Sequence, residues 1–255
     1  MSGSLFLSYF LVQPMPDLPD DYPFNPGSSR YPVVDLGELA ARLGSPVVYD
    51  RRGEVIWAET FEFGITKWQG VIGGAGSSVA ASTTTPFFSD QSLKLTAGGV
   101  AGGLAAAYRN FFALEDVKWG GYAAFAFLTT FDRATVELYK RLPATNYIAA
   151  LQINNTEKKL QYRDENGDYQ DFASIPAVVF SNGLYHQVKI VADFGLNEYV
   201  RAFFDDIEYD LSGLSIFQQT VASIQRNMLL ATIYSDGATA AEAQIGAAVV
   251  TGNEP

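Results

Sequence analysis

A chain of 255 residues that is 48% hydrophobic, with 18 Phe and 14 Tyr, is long and apolar enough to bury a full-sized core without metal or disulfide staples. It contains no cysteine, which excludes a thiolate zinc site, a thiol nucleophile and a disulfide framework together. With 17 Lys+Arg against 28 Asp+Glu, a net charge of −11 and no basic block, the surface repels phosphate backbones and argues against nonspecific nucleic-acid binding.

The apolar run over residues 5–12 lacks the basic flank and small-residue cleavage site of a secretory signal, and it is far shorter than a membrane span. No leader and no membrane span are therefore expected. Residues 1–34 hold six of the chain's 11 prolines, Pro14, Pro16, Pro19, Pro23, Pro26 and Pro32. That density forbids helix and disfavours a central strand, leaving an extended, polyproline-like arm that carries Leu5, Phe6, Leu7, Tyr9, Phe10, Tyr22, Phe24 and Tyr31. Such a ribbon cannot bury those side chains on itself; it lies on its own domain, lies on a neighbouring copy, or stays loose.

Residues 35–44, DLGELAARLG, read as one short amphipathic helix, with Asp35 as N-cap, Glu38 completing a capping box and Gly44 as the left-handed stop. After Pro46 the residues VVYDRRGEVIWAETFE suggest two strands around a turn at 50–53. From there strands recur at 68–72, 77–81, 92–96, 103–110, 121–131, 135–141, 147–154, 159–163, 169–173, 187–193, 199–204, 207–211, 229–234 and 243–250. So many short strands in about 200 residues make a two-sheet sandwich the economical fold. Asp164-Glu165-Asn166-Gly167-Asp168 is the clearest hairpin turn, since Asn-Gly supplies positive φ readily. Residues 215–226 suit either a strand or a helix, because Ile216, Phe217, Val221 and Ile224 also fall on one helical face. The small-residue stretch 71–85 reads as a strand pair or loop. The glycines at 73–76 and 98–103 lack the Lys-Ser/Thr of a phosphate loop and read as turns.

The stretch 185–211, YHQVKIVADFGLNEYVRAFFDDIEYDL, alternates apolar and polar residues on either side of a turn at 195–197 and ends in a hairpin tip at Asp205-Asp206. Its wording resembles the laminin-G-like and concanavalin-like jelly-roll sandwiches, in which a Tyr-His-x-Val-x-Ile strand precedes a strand ending in Asp-Gly; Asp206 stands where the glycine would be. That resemblance covers roughly residues 54–252. The expected architecture is an all-β, two-sheet antiparallel jelly-roll sandwich over 54–255, preceded by the arm at 1–34 and a short helix and linking hairpin at 35–53.

Candidate chemistry is sparse. The single histidine, His186, leaves a Ser-His-Asp triad or a histidine metal cluster without parts, and it reads as a structural residue of its strand. Glycosidases on concanavalin-like sandwiches carry alternating carboxylates on one strand, and Asp206, Glu208 and Asp210 imitate that spacing. A solvated edge strand kept from aggregating by charge explains the same residues. No catalytic residues are expected. Phe61-Glu62-Phe63-Gly64, Trp68 and Ser89-Asp90-Gln91-Ser92-Leu93-Lys94-Leu95 resemble the opening of jelly-roll carbohydrate-binding modules. The resemblance implies a structural calcium, for which Glu62, Asp90 and Asp236 are the available ligands, and glycan stacking on Trp57, Trp68 or Trp119. Core packing is the competing role for each tryptophan.

The proline-rich arm, the linking helix and a jelly roll without a catalytic set together look like a structural subunit of a bacteriophage or other virus, such as a capsid decoration or tail-associated protein. That resemblance implies a non-enzymatic role in the virion, with no cofactor, and the arm docking on other copies of the chain and on other virion subunits. The alternative is a lectin-like module binding glycans at an extracellular or cell surface. Deleting residues 1–34 is expected to leave a folded sandwich that no longer assembles; an unchanged mass in size-exclusion light scattering contradicts the docking arm.

Overall fold

The computed structural model describes residues 50, 52–84, 86–87, 89–111, 117–175, 184–221 and 225–255. The arm with Leu5, Phe6, Tyr9, Phe10, Tyr22, Phe24 and Tyr31, the helix at 35–44 and the first strand of the linking hairpin lie outside the described residues. What is described belongs to one compact unit within 45–255.

Sixteen strands follow in order among the described residues: β1 (Glu54–Glu59), β2 (Gln69–Gly73), β3 (Ser78–Ser82), β4 (Ser92–Ala97), β5 (Leu104–Phe111), β6 (Lys118–Phe127), β7 (Arg133–Arg141), β8 (Thr145–Asn154), β9 (Lys159–Arg163), β10 (Tyr169–Ser174), β11 (His186–Asp193), β12 (Glu198–Phe204), β13 (Ile207–Asp210), β14 (Phe217–Thr220), β15 (Arg226–Tyr234) and β16 (Ala241–Gly252). They pair antiparallel in two eight-stranded sheets. Sheet I runs β13-β12-β11-β6-β16-β4-β3, with β1 along the second half of β16; sheet II runs β10-β9-β8-β7-β15-β5-β2, with β14 along the first half of β8. This is the antiparallel jelly-roll sandwich expected from the strand grammar.

The alternation of small and large apolar residues sets how the sheets face each other. Trp119, Ala123, Phe125 and Phe127 of β6 and Leu93 and Leu95 of β4 meet Leu138 of β7, Leu151 and Ile153 of β8, and Leu229 and Ile233 of β15 in one buried core. At Gly121 the facing sheet comes close: a Cβ there would fall 2.6 Å from Leu138 Cδ2, so any larger residue must displace that buried side chain. In the 164–168 hairpin it is Gly167 that takes the positive φ, at 94°, while the Asp164 carboxylate accepts the Asn166 and Asp168 amides.

The ambiguous 215–226 stretch contains strand β14, which occupies residues 145–148 of β8. It is needed there because β9 covers only residues 151–154 of β8. At the fork between β9 and β14 the ladder opens, and the Tyr199 hydroxyl, reaching across the core from β12, fills it. It accepts the Ala150 amide at 3.0 Å and donates to the Arg163 carbonyl at 2.7 Å. The cost of two buried, unpaired backbone groups is thereby avoided.

The outer face of sheet I is closed. Tyr122 and Ala124 of β6 and Ala247 and Val249 of β16 form a second apolar cluster beneath Phe87 and Tyr185. Beside it Lys189 of β11 and Arg201 of β12 meet Asp50 and Glu254, all four buried. Lys189 Nζ is 2.8 Å from Asp50 Oδ2 and 2.7 Å from Glu254 Oε1, and Arg201 pairs with Glu254 and donates to the Pro255 carbonyl at 2.8 Å. Two cations and two anions cancel, as burial of charge demands.

Replacing Tyr199 with Phe keeps the ring and removes only the bridge across the fork. A loss of about 1–3 kcal/mol in chemical denaturation is expected; an unchanged midpoint and slope contradict this account of the fork.

Candidate functional site

A groove lies on the outer face of sheet II. On β7, Ala134, Val136 and Leu138 point into the core, so Thr135, Glu137, Tyr139 and Arg141 point outward. The same parity turns Leu230, Thr232 and Tyr234 of β15, Leu104 and Ala106 of β5, and Arg163 of β9 to that side. Together with Val71 of β2 and Tyr169 of β10 they line a groove enclosing about 350 Å³.

Glu137 lies at its floor, 5% exposed. Tyr139 donates its hydroxyl to Glu137 Oε2 at 2.8 Å and Thr135 donates to Oε1 at 3.1 Å. Burial pushes the Glu137 carboxyl above the ordinary glutamate value, and these two donors with the Arg163 charge only partly offset it. Burial also raises the phenols of Tyr139, Tyr169 and Tyr234, with the Glu137 charge adding to each, so all three keep their protons at neutral pH.

The three rings are half-buried, and arginines lie against two of them and against Phe217. The Arg141 guanidinium lies 5.2 Å from the Tyr139 ring, that of Arg133 lies 4.9 Å from Tyr234, and that of Arg163 lies 4.2 Å from Phe217 of β14. Beyond Glu137 an amide row crosses β8, β9 and β10: Gln152 Nε2 donates to Gln161 Oε1, and Gln161 Nε2 donates to Asp171 Oδ1 at 2.8 Å. The face therefore combines flat apolar surfaces with fixed donors and acceptors.

The residues expected from sequence fall elsewhere. Trp119 is fully buried against Phe194, and Trp68 is buried between Phe61 and Trp57, so neither presents a ring face for stacking. Trp57 is half-buried in the same core, edge-on to Phe111, with Arg109 over its ring. Large rings fill the gap between two sheets better than any other residue, which is why the core claims them. Glu208 and Asp210 sit on β13, the edge strand of sheet I, remote in topology from the groove. Glu208 pairs with Arg52 at 3.0 Å and Asp210 accepts the Ser212 amide. His186 stacks on Phe204 and meets Asp205 through Nδ1 at 2.8 Å. Asp236 accepts the amides of Ala238 and Thr239 in its own loop. Among the described residues no group of three or more His, Asp or Glu is arranged to hold a metal ion.

No family model matches the chain, and no curated protein matches it in sequence. Among solved structures, a conserved carbohydrate esterase from Shiga toxin-encoding bacteriophage phi24B aligns over 79% of this chain and 100% of its own, at 13% identity and a TM-score of 0.50. The cellulose induced protein Cip1 aligns over 76% of this chain and 96% of its own, at 11% identity and a TM-score of 0.49. A sialidase aligns over 79% of this chain at 10% identity and a TM-score of 0.47, and the chain spans 19% of that protein's length. The fold is the concanavalin-like jelly-roll sandwich.

The raised Glu137 pKa carries a sign. Folding favours its protonated form, so its contribution to stability is complete below the unfolded pKa and is lost as pH rises through the folded one. The melting temperature of wild type minus that of Glu137→Gln should therefore fall from about pH 4 to about pH 8. A difference that stays flat or rises across the series contradicts the buried, proton-favouring floor.

Proposed function

We propose that this chain binds carbohydrate in the groove across sheet II. The observation that carries the reading is the arrangement of three half-buried tyrosines, Tyr139, Tyr169 and Tyr234, around the hydrogen-bonded Glu137, beside the apolar Val71, Leu104, Ala106 and Leu230. Sugars present C–H faces that pack on aromatic rings and hydroxyls that need donors and acceptors in fixed positions. Tyrosine supplies both at low entropic cost. At about 350 Å³ the groove is at the small end of ligand sites and suits one or two sugar rings rather than a long buried chain.

Binding is favoured over hydrolysis by the composition of the lining. Glycoside hydrolysis uses two carboxyl groups flanking the scissile bond, and Glu137 is the single carboxylate among the described lining residues. The assembly role expected for residues 1–34 is compatible with this reading, since a glycan-binding subunit at a virion or cell surface satisfies both. The groove falls within the described residues and the arm does not.

A glycan array with full-length protein should give hits that Tyr169→Ala and Tyr234→Ala each weaken about tenfold or more, about 1.4 kcal/mol. Trp57→Ala should lower stability with little change in those affinities once folded. Hits indifferent to both tyrosine substitutions, or abolished by Trp57→Ala in folded protein, overturn the groove as the binding site.

A further inference from the structure

Two strand positions beyond Tyr139, the outward face of sheet II carries an apposition that folding alone does not explain. Arg141 of β7 and Arg226 of β15 stand directly opposite each other in the antiparallel ladder, where side chains leave the sheet about 5 Å apart and like charges repel. The neighbouring Arg226 charge, after burial, makes Arg141 easier to deprotonate than an ordinary arginine. Other arginines have partners of some kind: Arg52 has Asp50 and Glu208, Arg133 has Asp132 and Arg201 has Glu254, while Arg109 and Arg163 donate to the Lys67 and Gly167 carbonyls and lie over Trp57 and Phe217, and none of these stands opposite a like charge in its ladder. Among the described residues no carboxylate pairs with Arg141 or Arg226, in a chain with 28 acidic residues to draw on. The Nε atoms of both are buried without a hydrogen-bond partner.

We propose that Arg141 and Arg226 form an anion subsite at the end of the groove, taking the carboxylate or sulfate of an acidic sugar. The assignment rests on the groove being a glycan site and specifies the class of glycan. Two guanidinium groups side by side present planar, paired N–H donors that match either oxyanion, and a bound anion removes the repulsion between them. The placement fits the rest of the face. Arg141 lies against the ring of Tyr139, which lines the groove, and the four residue steps from Glu137 to Arg141 span about 13 Å of strand, about two sugar rings. A saccharide seated on the tyrosines therefore reaches the arginine pair with one acidic substituent while its hydroxyls face Glu137.

The test uses full-length protein and three oligosaccharide sets in calorimetric titration: oligogalacturonates, which carry only carboxylates; κ-carrageenan oligosaccharides, which carry only sulfates; and neutral cello- and xylo-oligosaccharides. At least one acidic set should bind more tightly than the neutral ones, and Arg226→Gln and Arg141→Gln should each reduce that binding about tenfold or more, with Arg226→Gln, which touches none of the groove tyrosines, leaving any neutral binding unchanged. Whichever acidic set responds identifies the anion. Because Arg226→Gln removes a repulsion and no ring contact, that variant should melt at or above the wild-type temperature, so its lost binding is not lost folding. Acidic and neutral sugars bound alike, or acidic binding retained in both arginine variants, overturn the subsite while tyrosine-dependent binding leaves the groove standing. No binding by any set overturns the subsite and the groove together.

Discussion

Everything on the groove face follows from one constraint, the registry of β7 and β15 at the centre of sheet II. Ala134, Val136 and Leu138 on one strand, and Leu229, Ala231 and Ile233 on the other, are buried between the sheets. Each fully buried Leu or Ile is worth about 2 kcal/mol relative to exposure, so a one-residue slip that turned them outward is prohibitively unfavourable. With that parity fixed, the intervening residues have no choice of side. Glu137, Tyr139 and Arg141 stand in a row because the buried Val136 and Leu138 fix the parity of the strand, and Arg226 meets Arg141 because the ladder pairs those positions.

The two sheets use their outer faces differently. Sheet I is sealed by Phe87 and Tyr185 over one patch and by the Asp50, Lys189, Arg201 and Glu254 quartet over another. In the quartet every charge has an opposite partner. Burial works against the Asp50 carboxylate, but Lys189, Arg52 and Arg201 outweigh it and hold the group below its ordinary pKa. Asp50 thus stabilises the fold above its unfolded pKa and loses that effect as pH falls through the folded one, opposite in sense to Glu137. Sheet II buries a carboxyl without a matching ion pair and sets two arginines, neither paired with a carboxylate, directly opposite each other. Unbalanced charge of this kind is destabilising in a scaffold and useful at a ligand.

Much of the fold was legible in the sequence, and little of the site. Strand positions were readable because turn residues such as Asn166-Gly167 and Asp205-Asp206 punctuate alternating runs, and most boundaries differ by a residue or two. The larger misses have physical causes. β6 spans Lys118–Phe127 rather than 121–131, because Gly120-Gly121 carries no side-chain alternation to mark the strand's start and residues 128–131 turn out of the sheet. The start of β15 was hidden by a segment whose apolar spacing suits a helix. As for the site, β6 and β16 are apolar on both faces, so periodicity does not say which sheet is open. The tryptophans drew attention as possible stacking rings although the core had a stronger claim on them. The available signal was RATVELYKR itself, in which Thr135, Glu137, Tyr139 and Arg141 alternate with Ala134, Val136, Leu138 and Lys140. Too many polar residues with bulky rings stand on that face for a merely wetted surface. The ion quartet was beyond reach, since Asp50 and Glu254 come from opposite ends of the sandwich sequence.

The groove is also held from behind, and this bears on how it works. Arg163 lines the groove with its side chain, while its carbonyl is fixed by Tyr199 from the opposite sheet and its Nε donates to the Gly167 carbonyl at 3.1 Å. Glu137 is clamped by Thr135 and Tyr139 on its own strand. The polar groups that would meet a ligand are thus already oriented, and little side-chain freedom is left to lose on binding. A site of this size makes few contacts, so its affinity depends on that preorganisation more than on area. The same hydroxyl that closes the fork between β9 and β14 thereby joins the packing of the core to the geometry of the binding face.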